Sequence, residues 1–376
     1  MYTKHIFLSQ TIEILPGDDS IWMHTQNPLA DNVEESSFAP FLFVGDNLGI
    51  PQKVLYKVYL YAVGVFKSAR SCVPTRVTIT NQLNDDRDHS LVRVLTASSS
   101  ILVLANPSHQ TALNSRKHLI RMHLIDPHVE LRFIASLLSS QHCAKHAELW
   151  YHRRWLLSAI YDPQYSDTTG TDSHCHLPFA SQVALQQELD LVSRACELYP
   201  RNYFAWIHRL MCMRSLLSDY LTGTDTVGFV PIFRNEIAGV KGWIDRHVSD
   251  YSAIHYILTL SQAGFQSGDS SFVEIIIQED LLAHAVSLVR EYPAHEALWM
   301  YIRTALSISD SWQTLQIQQF IDHFVQPLAY LQQSKIGAKD NLVRASQCAK
   351  QFLDRRVGYK LTQGQYTRDL ACFRDN

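Results

Sequence analysis

His174, Cys175 and His176 are the first residues to invite a chemical reading, because imidazole and thiolate are zinc donors. They are three consecutive residues in a polar loop, and the chain has no C-x-x-C pair, so the pattern predicts no metal site. His152, His208 and His255 read as interface or inter-helix hydrogen-bonders and not as catalytic bases, because no Ser or Cys nucleophile stands at a motif spacing from any of them. The phosphate-binding G-x-x-x-x-G-K-[ST], the dinucleotide-binding G-x-G-x-x-G and the zinc-protease H-E-x-x-H are all missing. Seven cysteines, an odd number, predict neither a disulfide framework nor a zinc ribbon and fit a reducing cytoplasm. Cys372 stands one residue too far from the end for a C-a-a-X box, so the chain is not expected to be prenylated there. Read alone, this chain carries no complete reaction centre.

The histidines that remain are organised by a repeat. Five segments align on Leu113, Trp150, Trp206, Ile254 and Trp299: NPSHQTALNSRKHL, AKHAELWYHRRWLL, YPRNYFAWIHRLMCM, VSDYSAIHYILTL and YPAHEALWMYIRTAL. Pro107, Pro200 and Pro293 stand six residues before the shared position, and Arg116, Arg153 and Arg209 three residues after it. The separations of 37, 56, 48 and 45 residues make a degenerate helical repeat with insertions in its loops, the largest around DPQYSDTTGTDSHCHLP. In the third segment Leu185, Leu189, Val192, Cys196 and Tyr199 form one apolar helical stripe, and Pro200 stops that helix. Asn202 caps a second helix with its own stripe, Trp206, Leu210, Met213 and Leu217. Leu281, Ala285, Leu288 and Tyr292, then Pro293, then Trp299 repeat the sequence of events.

Such hairpins bury both faces only by stacking, so the fold class is an all-α solenoid of paired helices offering an extended surface to a protein partner. Residues 1–50, rich in Pro and Gly, read as an irregular segment; 51–360 as a helical-repeat domain with repeats near 106–120, 144–160, 188–217, 248–260 and 281–306; 361–376 as a tail. With 33 basic against 36 acidic residues the net charge is −3, which offers nucleic acid or an anionic membrane no broad attraction. No run of 18 apolar residues predicts a transmembrane span, and a hydrophobic content of 46% is ample for a core.

KHAELWYHRRWLL and PRNYFAWIHR resemble the protein prenyltransferase alpha subunit repeat, whose signature is an Asn-Tyr pair shortly before Trp, followed by His-Arg-Arg and aliphatics. LVLANPSHQTALNSRKHLI, RHVSDYSAIHY, EYPAHEALWMYIR and VGDNLGI look like one branch of that family, the repeat-containing proteins, and the likeness runs from about Val44 to about Tyr359. The resemblance implies a right-handed superhelical crescent of paired helices wrapped around a separate β subunit that holds the catalytic zinc and most of the lipid pocket. No cofactor is implied in this chain. The implied partner is the β-type subunit of Rab geranylgeranyltransferase, giving a type 3 geranylgeranyltransferase in the cytoplasm. The implied donor is geranylgeranyl diphosphate, and the implied acceptor a cysteine of a SNARE-like protein.

The resemblance assigns roles residue by residue. Lys145, five before Trp150, matches the lysine that faces the isoprenoid diphosphate, where an ammonium stabilises charge on the leaving group. Ala147 replaces the family's tyrosine two residues later, whereas Asn202 and Tyr203 match the next repeat's Asn-Tyr pair. Glu148 replaces a glutamine that holds the C-terminal carboxylate of CaaX substrates; an anion there repels that group and implies recognition through a larger protein contact.

Trp150, Trp206 and Trp299 read as buried anchors. His152, Arg153, His208 and Arg209, with Glu148, Asn202 and Tyr203, are candidates for facing lipid or partner; the two arginines would alternatively bond carbonyls or carboxylates between successive hairpins. Ile257 and Ile302 replace the repeat's arginine in the last two segments. The competing function is a non-enzymatic helical-repeat scaffold, since the architecture serves both.

Overall fold

The computed structural model describes residues 11–18, 39–45, 47–72, 86–161, 177, 181–225 and 228–308, with positions 319 and 347. Within the stretch read as irregular, 1–50, the described residues form a small sheet, which corrects that reading where they fall. Strands β1 (Thr11–Leu15), β2 (Leu42–Val44) and β3 (Asn47–Pro51) lie in the order β1-β3-β2, with β1 parallel and β2 antiparallel to β3. Leu48 and Ile50 are buried at the strand's period of two, and Ile12 and Leu15 are buried on β1. The alternation spans only five residues in each long strand, so the surrounding Pro and Gly outweigh it in sequence. Gly49 is needed there, since a Cβ would come within 2.9 Å of Leu15 Cδ1 and 3.3 Å of Leu42 Cβ.

Helices follow: α1 (Gln52–Cys72), α2 (Asp86–Ala105), α3 (Gln110–Arg121), α4 (Pro127–Leu138), a single turn α5 (Gln141–Ala144), α6 (Ala147–Tyr161), α7 (Gln182–Leu198), α8 (Tyr203–Leu221), α9 (Phe229–Arg246), α10 (Tyr251–Gln266), α11 (Ser270–Glu279), α12 (Leu281–Glu291) and α13 (Glu296–Ile308). The all-α repeat reading holds: the five aligned segments fall on the hairpins α2/α3, α4/α6, α7/α8, α9/α10 and α12/α13, with α1 before them and α11 between the last two. Two compact units result, residues 1–170 with 177–209 and residues 171–176 with 210–376, a division the sequence reading of one repeat domain lacks.

In the first unit, α7 starts on Ser181, whose hydroxyl accepts from Ala184 N at 3.2 Å. It ends at Tyr199, before Pro200, and buries Leu185, Leu189, Val192 and Cys196 as the stripe requires. Asn202 caps α8 as expected, Oδ1 accepting from Ala205 N at 3.2 Å, and Trp206 is buried; Leu210, Met213 and Leu217, which fall in the second unit, are buried as well. In the second unit Phe229, Phe233 and Phe272 pack as an aromatic cluster. Gly264 on α10 lets them close, because a Cβ would lie 2.8 Å from Phe233 Cζ. Asp280, at φ 34°, ends α11 and caps α12 by accepting from Ala283 N at 3.0 Å. No described helix is long and apolar enough to cross a membrane.

Candidate functional site

The repeat's proline offset has a backbone reason. Trp150 Nε1 donates to Ala144 O at 2.8 Å and Trp299 Nε1 to Pro293 O at 2.7 Å, each a carbonyl six residues earlier. The indole thereby anchors the second helix to the turn that precedes it. Asn202 Nδ2 donates to the same Ala144 carbonyl at 2.9 Å, so one acceptor joins two hairpins. Trp150, Trp206 and Trp299 are buried anchors, as read from sequence.

This junction presents Lys145. The residue ends α5, is exposed, and holds its Nζ 5.9 Å from the centre of the Tyr199 ring. Glu148, in the first turn of α6, is half-exposed, and Tyr203, opening α8, is exposed by 40%. Burial raises the Tyr203 phenol pKa, with the neighbouring Tyr151 adding to it. Tyr151 is itself exposed beneath the Arg154 guanidinium at 4.5 Å. The end of α5 and the first turns of α6 and α8 thus carry an ammonium and phenol rings on one unit, a combination suited to an anionic head attached to an apolar chain.

The other candidates turn inward: they bond between helices, the alternative reading of the arginines and histidines, and do not take the lipid- or partner-facing placement. Arg153 directs Nε and Nη2 to the Glu188 carboxylate at 2.7 and 2.6 Å and Nη1 to Leu131 O at 3.0 Å, and His208 Nε2 meets Glu188 at 2.9 Å. One hairpin earlier, Arg116 forks onto Glu130 with Nε at 2.8 Å and also through Nη2. Its Nη1 bonds Thr96 O, Ser99 Oγ and Ser100 Oγ, and His152 Nε2 lies 2.9 Å from Glu130. His152, Arg153, His208 and Asn202 are all buried. Half-exposed Arg209 bonds Leu189 O at 3.0 Å and Ser193 Oγ at 3.2 Å.

Burial alone would raise the carboxyl pKa of Glu130 and Glu188, but the guanidinium charges, with hydrogen bonds from His and Arg, hold both at about 2. Burial lowers His152 and His208 against the pull of those carboxylates, so both are held neutral with Nε2–H donating. Neither Nδ1 has a partner.

Sequence reasoning missed the carboxylates. Glu188 stands twelve residues before Pro200 and Glu236 twelve before Val248, each a Glu on an apolar stripe. Glu236 accepts from Tyr256 OH, and Tyr256 follows Ile254 by two as His208 follows Trp206. Where Ile257 stands for the arginine, Leu281 occupies the glutamate's place. A buried glutamate one hairpin after each arginine was the available signal.

Among the described residues no group of three or more His, Cys, Asp or Glu could hold a metal ion; His174, Cys175 and His176 lie outside them. A cavity of about 380 Å³ between β1, α1 and the ends of α2 and α5, lined partly by Tyr56, Tyr59, Asn106 and His142, contains none of the predicted site residues.

Residues 185–216, the α7/α8 hairpin, match the model of the protein prenyltransferase alpha subunit repeat. "Protein prenyltransferase alpha subunit repeat-containing protein 1" of Danio rerio is 25% identical over 252 residues, 58% of this chain and 56% of that protein. The protein of the same name from Homo sapiens is 28% identical over 235 residues, 54% of this chain and 56% of its own length. "Geranylgeranyl transferase type-2 subunit alpha" of Saccharomyces cerevisiae is 22% identical over 244 residues, 64% of this chain and 65% of that subunit. The chain spans about half the length of the repeat-containing relatives it matches. Residues 185–216 thus carry the protein prenyltransferase alpha subunit repeat, and the chain is similar to the proteins named for it.

Proposed function

We propose that this chain is the α-type subunit of a heterodimeric protein prenyltransferase. In this reading it supports transfer of geranylgeranyl from its diphosphate to a cysteine of a SNARE-like acceptor, in the cytoplasm. The observation that carries it is the exposed ammonium of Lys145 beside the Tyr199 ring, at the junction where Ala144 binds the anchor of one repeat and the cap of the next. An ammonium held there meets the charge that develops on a departing diphosphate, while Tyr203 offers an apolar face to the chain being transferred. The zinc that activates the acceptor thiol belongs to a β-type subunit, that of Rab geranylgeranyltransferase, and this chain completes the site from outside. Glu148 disfavours a terminal carboxylate and selects acceptors bound through a wider contact.

The rival is a repeat scaffold without transfer, favoured by Ala147 where the family has a tyrosine. Co-expression with the Rab geranylgeranyltransferase β subunit, size-exclusion chromatography and labelled geranylgeranyl transfer to SNARE acceptors separate the two. A one-to-one complex that transfers lipid, with neither chain active alone, is the expected result. A complex without transfer favours the scaffold, and absence of a complex overturns the proposal.

A further inference from the structure

Lys117 and Arg121, four residues apart on α3, both turn onto the indole of Trp155 on α6. Lys117 Nζ lies 5.3 Å and Arg121 Cζ 5.4 Å from the ring. Residues at this spacing share one helix face, and like charges there destabilise the helix. Among the described residues neither cation has a carboxylate in salt-bridge range, and the buried Glu130 is taken by Arg116 and His152. The indole is backed by the neutral His152 ring, stacked at 5.8 Å. Lys117 and Trp155 are half-buried and Arg121 exposed, so the pair opens to solvent on one side only. Burial, then the Arg121 charge, push the Lys117 ammonium below its ordinary range, as expected of a cation without a counter-charge.

From this geometry we infer an anion site in which Lys117 and Arg121, over the Trp155 ring, bind a phosphate-type dianion. Two cations on one face call for two negative charges, and a tetrahedral phosphate offers oxygens both to the guanidinium fork and to the ammonium. Lys145 precedes α6, whereas Trp155 lies eight residues along it from Ala147, roughly 12 Å of helical rise, so the site is separate from the proposed diphosphate contact and does not depend on it.

The test is thermal unfolding of the full chain at neutral pH in phosphate, pyrophosphate or chloride at one ionic strength. The expected result is a saturable stabilisation by the phosphates, lost in both Lys117→Gln and Arg121→Gln. Each variant is compared with its own melting temperature in chloride, since losing a cation removes both a like-charge repulsion and a contact with the indole. A parental chain without a phosphate-specific shift, or variants that keep it, would overturn the site. Vesicles of phosphatidylcholine with and without a phosphoinositide identify the source. Variant-sensitive binding competed by free phosphate assigns a lipid headgroup, and phosphate stabilisation without vesicle binding assigns a soluble phosphate.

Discussion

Burying Glu188 between Arg153 and His208 commits three titratable groups to one another in a place water does not reach. Removing one member leaves the others uncompensated, so Arg153→Met is expected to cost about 3–5 kcal/mol. The last hairpins show the alternative, with Ile257 and Leu281 in the corresponding places. Adding Glu188→Leu to Arg153→Met should therefore recover much of the loss in chemical denaturation; a double variant no more stable than the single would reject the pairing. The same groups set the response to acid. The folded chain holds His152 and His208 below their ordinary 6.5, so the unfolded chain takes up protons first and stability begins to fall below about pH 6.5. Glu130 and Glu188 titrate at about 2 against an ordinary 4.5, so their contribution is complete above about pH 4.5 and is lost as pH falls towards 2. Melting temperature followed by circular dichroism should decline in both windows, and His208→Gln should flatten the upper one.

At the scale of the helix, Asn202 and Trp206 act on the same hairpin by different means. Asn202 closes the first turn of α8 and reaches the Ala144 carbonyl; Trp206 fills the core. Asn202→Ala is expected to cost about 1–2 kcal/mol as a lost cap, and Trp206→Ala about 3–5 kcal/mol as a lost core aromatic. Lys145→Ala, exposed and outside both roles, should leave unfolding unchanged while slowing transfer in the assembled enzyme. Measured side by side in urea and in the transfer assay, equal stability losses for Lys145→Ala and Trp206→Ala would reject this division. Asn202→Asp, which keeps the acceptor but not the Nδ2 donor, should fall between the parent and Asn202→Ala.

At the scale of the molecule, Tyr56, Leu60 and Tyr61 leave apolar surface open along α1, in keeping with a chain that completes itself against a partner. The hairpins, their stripes, the Asn202 cap and the tryptophan anchors were legible from sequence, because each depends on neighbours within a few turns whose spacing repeats. The N-terminal sheet was not, because β1 meets β3 across 36 residues and each strand is too short to outweigh its prolines and glycines. The inward turn of His152, Arg153 and His208 was legible only as one of two readings. Their type and offset suit a surface contact equally well, and only the stacking of successive hairpins brings Glu130 and Glu188 to them across 22, 35 and 20 residues. Sequence alone determined where the repeat hairpins run and which side of α7, α8 and α12 is apolar. The tertiary structure decided which charges are spent inside and which, like Lys145, remain outside, because a buried charge is tolerable only where a distant partner arrives to neutralise it.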